Sequence, residues 1–174
     1  PVPPKRETQG ATERIIGNWL AARGGRDKLF LASKIAGPGQ GGSQIRGGAT
    51  RYTAAEIASA LDGNLQRLQT DYIDLYQIHN APPADLEKVC APGGALEALT
   101  AAKTAGKIGH IGITAHSLET FRMALELPWV ETVMFPYNIV EDQAKELIHA
   151  CAEKNIGFIT MKPLAGGAIE DAVT

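Results

Sequence analysis

Apolar runs alternate with amphipathic stretches along the chain. The apolar runs predict β-strands over residues 29–33, 73–79, 108–114, 132–137 and 157–161. Between them, apolar residues recur three and four positions apart, which predicts helices over residues 11–22, 53–68, 94–104, 117–127 and 141–154. Thr53 and Glu56 form a capping box at the start of the second helix. This strict alternation predicts an α/β fold in which parallel strands are covered by outer helices.

Composition narrows the classes of function. The 174 residues suffice for one domain, over residues 1–174. The net charge is -2 and the sequence contains no basic run, so we expect no nucleic-acid partner. The apolar runs are too short to cross a bilayer, and the first residues lack the apolar core of a signal peptide. Cys90 and Cys151 show no metal-ligand spacing, which favours reduced thiols in a cytoplasmic protein.

Two further motifs are weak. A glycine-rich stretch over residues 37–48 is either a flexible surface loop or a functional segment, namely a lid or a phosphate cradle. It does not match GxxxxGK[ST], and GxGxxG does not follow the strand at the required offset, so the surface loop is favoured. The histidines, which are His79, His110, His116 and His149, lack HxH or HExxH spacing, which argues against a metal-dependent hydrolase.

Polar residues follow every predicted strand. The carboxyl ends of parallel strands share one edge of the sheet, where α/β proteins place their chemistry. Lys34 and His79 end the first two strands, and an ammonium beside an imidazole suits a site that polarises a carbonyl or tunes a phenol. The structural alternatives are that His79 is a buried histidine bonded to a carbonyl and that Lys34 simply extends into water. His116 either caps the next helix or faces solvent, and Asn138 has the spacing of a helix N-cap before Glu141.

At these residues the sequence resembles the aldo-keto reductases. The matching segments are "ATERIIGNWL", "LFLASK", "LQRLQTDYIDLYQIH", "ALEALTAAKTAGKIGHIGIT", "FPYN" and "ITMKPLAGG", in the family's order. The resemblance implies a (β/α)8 barrel of the TIM-barrel type that binds NADP(H) and reduces aldehydes or ketones. Of the family's Asp-Tyr-Lys-His tetrad, it identifies Lys34 as the lysine and His79 as the histidine.

The resemblance also implies contacts to NADP(H). Thr114 and Asn138 are the expected contacts of the nicotinamide carboxamide, and the loop after the fifth strand is expected along the pyrophosphate, through Lys162, Pro163, Leu164 and Gly166. Two positions depart from the family pattern. Met134 stands where many members have a glutamine, and Met161 stands where many stack a tyrosine on the nicotinamide.

A barrel of this type typically needs about 250 residues. We therefore expect a partial barrel of about five parallel strands, lacking the first two strands and the last, in an excised or recombinant chain with a possible seam near residues 70–80. The tetrad Asp and Tyr would precede Pro1, so the chain is expected to be inactive alone. Tyr52 and Tyr76 are poor substitutes, because Tyr76 has the opposite strand parity to His79.

Open strand edges and an uncovered inner face favour association, so we expect a homodimer or a higher oligomer. The alternative to a reductase module is a self-associating scaffold, engineered or recombinant, that binds no cofactor.

Overall fold

The computed structural model describes residues 6–36 and 51–167. The strands are β1 (Ala32–Ala36), β2 (Ile73–His79), β3 (Ile108–Thr114), β4 (Thr132–Pro136) and β5 (Gly157–Met161). The helices are α1 (Ala11–Arg23), α2 (Ala54–Leu68), α3 (Pro83–Cys90), α4 (Ala95–Thr104), α5 (Leu118–Leu125) and α6 (Lys145–Glu153). The glycine-rich stretch over residues 37–48 lies outside the described residues, so its interpretation stays a prediction.

The strands form one parallel sheet in the order β1-β2-β3-β4-β5. Each strand-to-strand connection contains at least one helix, as parallel neighbours require. The predicted α/β fold, a partial TIM-type barrel with parallel strands and outer helices, is therefore confirmed. Predicted bounds were met for β2, β3 and β5.

The helix-facing side of the sheet carries the main core. Ile35, Ile78 and Ile113 point into it from successive strands, with at most 2% of each residue exposed. Phe121 of α5 packs against Phe135 of β4 with ring centroids 5.2 Å apart. Since alternate residues of a strand point to opposite sides, this core fixes which side chains face the inner side.

The first strand was predicted three residues too early. Residues 29–33 were expected, but β1 begins at Ala32 and continues to Ala36. Leu29 and Phe30 are exposed, at 41% and 68%. The Arg26 guanidinium donates to the Leu29 carbonyl at 2.8 Å, so a side chain holds this segment before the strand ladder starts.

Two helix predictions also need correction. Helix α3 was not predicted; Pro83 occupies its first position, where proline is compatible with a helix start. The helix expected over residues 141–154 starts later, at Lys145, and its N-cap is Ala144. Asn138 is therefore not its N-cap.

Residues outside the sheet add two observations. None of the helices in the described ranges is long and apolar enough to span a membrane. Cys90 is exposed and Cys151 is buried, and both are free thiols. A reducing, cytoplasmic location stays a prediction.

Candidate active site

The site lies on the inner side of the sheet, opposite the core. Lys34 pairs in register with Gln77, and His79 pairs with Thr114, which in turn pairs with Met134. Residues 77 and 79 are two positions apart in β2 and therefore point to the same side of the sheet. Lys34, in register with residue 77, points to that side from β1. The structure thus brings Lys34 and His79 to the same side of adjacent strands, one step of the pleat apart.

His79 is held by a threonine. Its Nδ1 lies 2.9 Å from the Thr114 hydroxyl oxygen, which also accepts a hydrogen bond from the Asn80 backbone N–H at 2.9 Å. The hydroxyl hydrogen is then available to Nδ1, and in that tautomer Nε2 carries the imidazole proton. Burial lowers the pKa of His79, and the charges of Lys34 and His116 lower this pKa further. The lowered pKa favours the neutral imidazole, and in the tautomer that accepts from the Thr114 hydroxyl at Nδ1 the ring can donate from Nε2.

Lys34 lies on β1, which is the outermost strand of the described sheet. It is exposed at this edge, yet the surrounding protein excludes enough water to lower the pKa of its ammonium group. No hydrogen bond or ion pair of its side chain occurs within the described residues. Its charge acts on both His79 and His116, so the three groups share one electrostatic environment.

His116 follows β3 and is exposed, in line with one of its two predicted roles. The N-cap of α5 is Ser117, whose hydroxyl oxygen accepts from the Thr120 N–H at 3.1 Å, so His116 is not the cap. Burial lowers the pKa of His116, and so do Lys162 and Lys34, while Glu141 opposes them. Lys162 therefore places a second lysine charge near His116, at the end of β5.

Asn138 is buried and its carboxamide is already committed. The Asn138 oxygen accepts from the backbone N–H groups of Val140 and Glu141, at 2.9 and 3.0 Å. The amide nitrogen donates to the Glu141 carboxylate and to the Lys162 carbonyl, at 3.0 and 3.1 Å. Asn138 thus joins the loops after β4 and β5, and a contact with a nicotinamide would have to replace one of these bonds.

The loop after β5 contains the remaining predicted contacts, which are Lys162, Pro163, Leu164 and Gly166 and which are all exposed. Lys162, Ala165 and Gly166 have φ values of 55°, 47° and 71°. Successive backbone N–H groups in turns of this kind can form a concave anion site. The Ala165 N–H bonds the Lys162 carbonyl at 2.9 Å, which keeps the turn closed.

Sequence reasoning missed Gln77 as a site residue. It is fully buried on the inner side, and neither amide atom has a hydrogen-bond partner. A polar residue two positions before His79, and therefore on the same side of β2, was the available signal. Tyr76 faces the helices as its parity predicted, since its hydroxyl accepts from the Asn64 amide at 3.2 Å. In the part of the chain that the structure describes, no group of three or more metal-ligating side chains occurs.

Comparison with known proteins identifies the family. The family model described as aldo/keto reductase family matches residues 8–174, so the chain belongs to this family. Protein tas of Escherichia coli is 37% identical over 158 residues, covering 80% of this chain and 46% of that protein. An aldo-keto reductase of Schizosaccharomyces pombe, yakc [NADP(+)], is 32% identical and covers 94% of this chain and 47% of its own length.

Solved structures agree. The holo form of aldo-keto reductase AKR11C1 from Bacillus halodurans superposes with a TM-score of 0.76 at 28% identity, covering 92% of this chain and 51% of that one. The chain spans about half the length of the curated relatives it matches. The family match includes the segment of residues 70–80, where the predicted recombination seam remains a prediction.

Proposed function

We propose that this chain forms the Lys-His side of an NADP-dependent aldo-keto reductase site that reduces aldehydes or ketones. The observation that carries the proposal is the emergence of Lys34 and His79 on the same side of adjacent parallel strands. Parallel α/β barrels place their catalytic groups at the carboxyl ends of strands. Membership of the aldo/keto reductase family supports the reaction class.

His79 and Lys34 have complementary tasks in this reaction. Neutral His79 donates its Nε2–H to the carbonyl oxygen of the substrate, which orients and polarises the carbonyl. The Lys34 ammonium stabilises negative charge that develops on that oxygen or on a neighbouring phenol. NADPH, when bound, supplies the hydride. The Thr114 hydroxyl holds the His79 ring in the required orientation.

The described residues fit NADP(H) in one region better than in another. The loop after β5 is exposed, carries Lys162 and has the left-handed backbone suited to phosphate oxygens, so Lys162, Pro163, Leu164 and Gly166 are proposed to hold the pyrophosphate. Thr114 and Asn138 already have hydrogen-bond partners. We propose that they position His79 and the two loops beside the nicotinamide.

A second part of the proposal is that the chain turns over poorly by itself. All four tyrosines lie within the described ranges, and Tyr52 and Tyr76 are buried. Tyr76 bonds Asn64 on the helix side, Tyr72 stacks on Arg26, and Tyr137 packs edge-on against Phe158. None of these positions suits a proton donor beside His79, and loss of a general acid typically costs about 10²–10⁴ in rate.

Titration of NADPH with the purified chain, followed by cofactor fluorescence, tests the proposal. We expect saturable binding that Lys162→Ala weakens several-fold and that Lys154→Ala leaves unchanged. Lys154 is the matched control because it pairs with Glu126, away from the strand ends. An aromatic aldehyde should be reduced at least about 10²-fold more slowly than by a complete reductase. Absence of saturable binding would contradict the proposal and favour a scaffold without a cofactor.

Self-association is also proposed. Strands β1 and β5 are the outermost strands of the described sheet, and four large apolar side chains in the segment up to β1 are exposed: Ile15, Trp19, Leu29 and Phe30. Sedimentation velocity over a concentration series should show a dimer or a larger species. Trp19→Glu should weaken it, while Ala22→Glu adds the same charge to α1 as a control. A monomer at the highest concentration would contradict self-association.

A further inference from the structure

A row of four in-register residues crosses the inner side of the sheet below His79. Lys34 pairs with Gln77, Gln77 with Gly112, and Gly112 with Thr132. The Gln77 amide oxygen and nitrogen and the Thr132 hydroxyl are all buried without a hydrogen-bond partner. Orphaned buried polar atoms cost free energy and call for a partner. Because the three atoms lie in one row, one hydrogen-bonded arrangement of the neighbouring side chains can give all of them a partner.

Gly112 opens the passage between these side chains. A Cβ placed on Gly112 would lie 2.1 Å from the Thr132 hydroxyl oxygen and 3.2 Å from Cγ of Gln77. The Gln77 and Thr132 side chains therefore both lie against the same point, and only glycine leaves room for the threonine oxygen there. On the other side of Gln77, Lys34 is its direct register neighbour on a strand about 4.8 Å away.

We propose that Gln77 is a positioning residue for Lys34: its amide oxygen accepts a hydrogen bond from the Lys34 ammonium, while its amide nitrogen donates to the Thr132 hydroxyl. The polarity of this chain of bonds is fixed, because an ammonium can only donate. The amide oxygen must then face Lys34, and the amide nitrogen must face Thr132. A rearrangement of the flexible Lys34 side chain, together with a turn of the Gln77 amide toward Thr132, gives all three orphaned atoms a partner. The inference rests on the proposed function only in assigning Lys34 to a reductase site.

The charged groups around Lys34 do not replace this bond. His79 on β2 and His116 after β3 lie close enough for the Lys34 charge to lower the pKa of both, and neither imidazole offers Lys34 a negative partner. Lys162 and Glu141 act on His116 from the ends of β5 and β4. Glu13 of α1 lines a cavity with Lys34, but its carboxylate pairs with Arg67 at 2.6 Å and accepts from Ser33. Within the described residues Lys34 has no ion pair, and the uncharged Gln77 amide oxygen is the acceptor that strand register places beside it.

The test is the titration of Lys34 by NMR of its ¹³C-labelled ε-carbon, assigned with the Lys34→Arg variant. Gln77→Leu removes the acceptor of the charged form, so the pKa of Lys34 should fall by about one unit. Gln77→Glu should raise it by about one unit, because a carboxylate favours the ammonium. Thr132→Val frees the amide to turn, so a smaller fall is expected.

Gln66→Leu on the exposed side of α2 is the matched control and should leave the titration unchanged. An identical Lys34 titration in the wild type, Gln77→Leu and Gln77→Glu, with folded spectra, would overturn the proposal; so would a water molecule bridging Gln77 and Thr132 in its place. If Gln77→Leu does not fold, Thr132→Val decides by the same measurement. The readout needs no cofactor, so failure of NADPH binding contradicts the proposed function alone.

Discussion

The two ends of the sheet differ in whether their charged side chains form ion pairs. At the amino-terminal end, the Arg26 guanidinium lies 2.7 Å from the Asp74 carboxylate. There too, the Glu131 carboxylate pairs with Lys103 and His110, at 2.6 and 2.7 Å. At the carboxyl-terminal end, Lys34, His79, His116 and Lys162 form no ion pair within the described ranges.

This difference assigns the paired charges at the amino-terminal end to stability and the unpaired charges at the carboxyl-terminal end to chemistry. Burial raises the pKa of both Asp74 and Glu131, but their hydrogen bonds and cationic partners outweigh it and the pKa of each is lowered. These acids therefore stabilise the folded state when ionised. At the opposite end, burial lowers the pKa of Lys34, His79 and His116, and neighbouring positive charges lower the pKa of the two histidines further. Unpaired positive charge in a common region attracts anionic ligands, and perturbed groups of this kind cluster at functional sites.

Removal of Arg26 should have the largest effect on stability. Its guanidinium bonds the Asp74 carboxylate and the carbonyls of Leu29 and Tyr72, and it stacks 3.8 Å from the Tyr72 ring centroid. Only 15% of its side chain is exposed, so Arg26→Ala leaves a partly buried carboxylate unpaired and should cost about 2–3 kcal/mol. Urea unfolding measures this loss.

Arg23→Ala is the matched control for Arg26. Arg23 is exposed and lies over Trp19 at 5.5 Å, and its removal should cost less than about 1 kcal/mol. If Arg26→Ala and Arg23→Ala lowered the free energy of unfolding equally, the ion pair of Arg26 would give the amino-terminal end of the sheet no particular stability.

Glu131→Gln should have a smaller and pH-dependent effect. The folded protein holds the pKa of Glu131 below its usual value of 4.5, so its contribution is present above that pH and is lost as the pH falls through the folded pKa. At pH 7 we expect the variant to lose about 1 kcal/mol, because the amide can still accept from Lys103 and the Ile111 N–H.

The urea midpoints of wild type and Glu131→Gln, followed from pH 7 to pH 3, measure this effect. The gap between them should narrow below pH 4.5. Glu126→Gln is the control, since its ion pair with Lys154 is 74% exposed on the glutamate side and should matter little at any pH. A gap that stays constant to pH 3 would assign the stabilisation to the hydrogen bonds rather than to the charge.

The sequence predicted the sheet better than its surroundings for a physical reason. Strand β2 has covered faces on both sides, so its apolar run and its bounds coincide. The start of β1 does not follow from its own residues, because Arg26 and the Asp74 carboxylate hold Leu29 and Leu31. The bond from the Leu31 N–H to the Asp74 carboxylate joins residues 43 positions apart and leaves no local pattern.

The same distinction between local and long-range contacts explains which parts of the site the sequence predicted. Strand parity was enough to place Lys34 and His79 on one side of the sheet, since it depends only on position in the strand. The partner of the His79 ring depends on register, which pairs it with Thr114 rather than with a backbone carbonyl. Asn138 had the spacing of an N-cap, but its four hydrogen bonds serve the loops after β4 and β5, because the helix begins only at Lys145.

Lys34→Met should give the smallest effect and the most direct test of the cationic end. The charge of Lys34 is one cause of the low pKa of His79, after burial. Its removal favours the imidazolium, so the pKa of His79 should rise by about a few tenths of a unit, with little change in stability because no ion pair is lost. Proton NMR of the histidine rings, assigned with His79→Asn, measures the shift.

Lys103→Met provides the comparison from the opposite end of the sheet. Lys103 pairs with Glu131, so its loss should reduce stability by up to about 1 kcal/mol and leave the titration of His79 unchanged. Both substitutions replace a lysine by a methionine, so a difference between their effects on stability and on the His79 titration reports where each lysine lies in the sheet. If Lys34→Met destabilised the protein as much as Lys103→Met and left His79 unmoved, Lys34 would be a structural charge and the two ends of the sheet would not differ in kind.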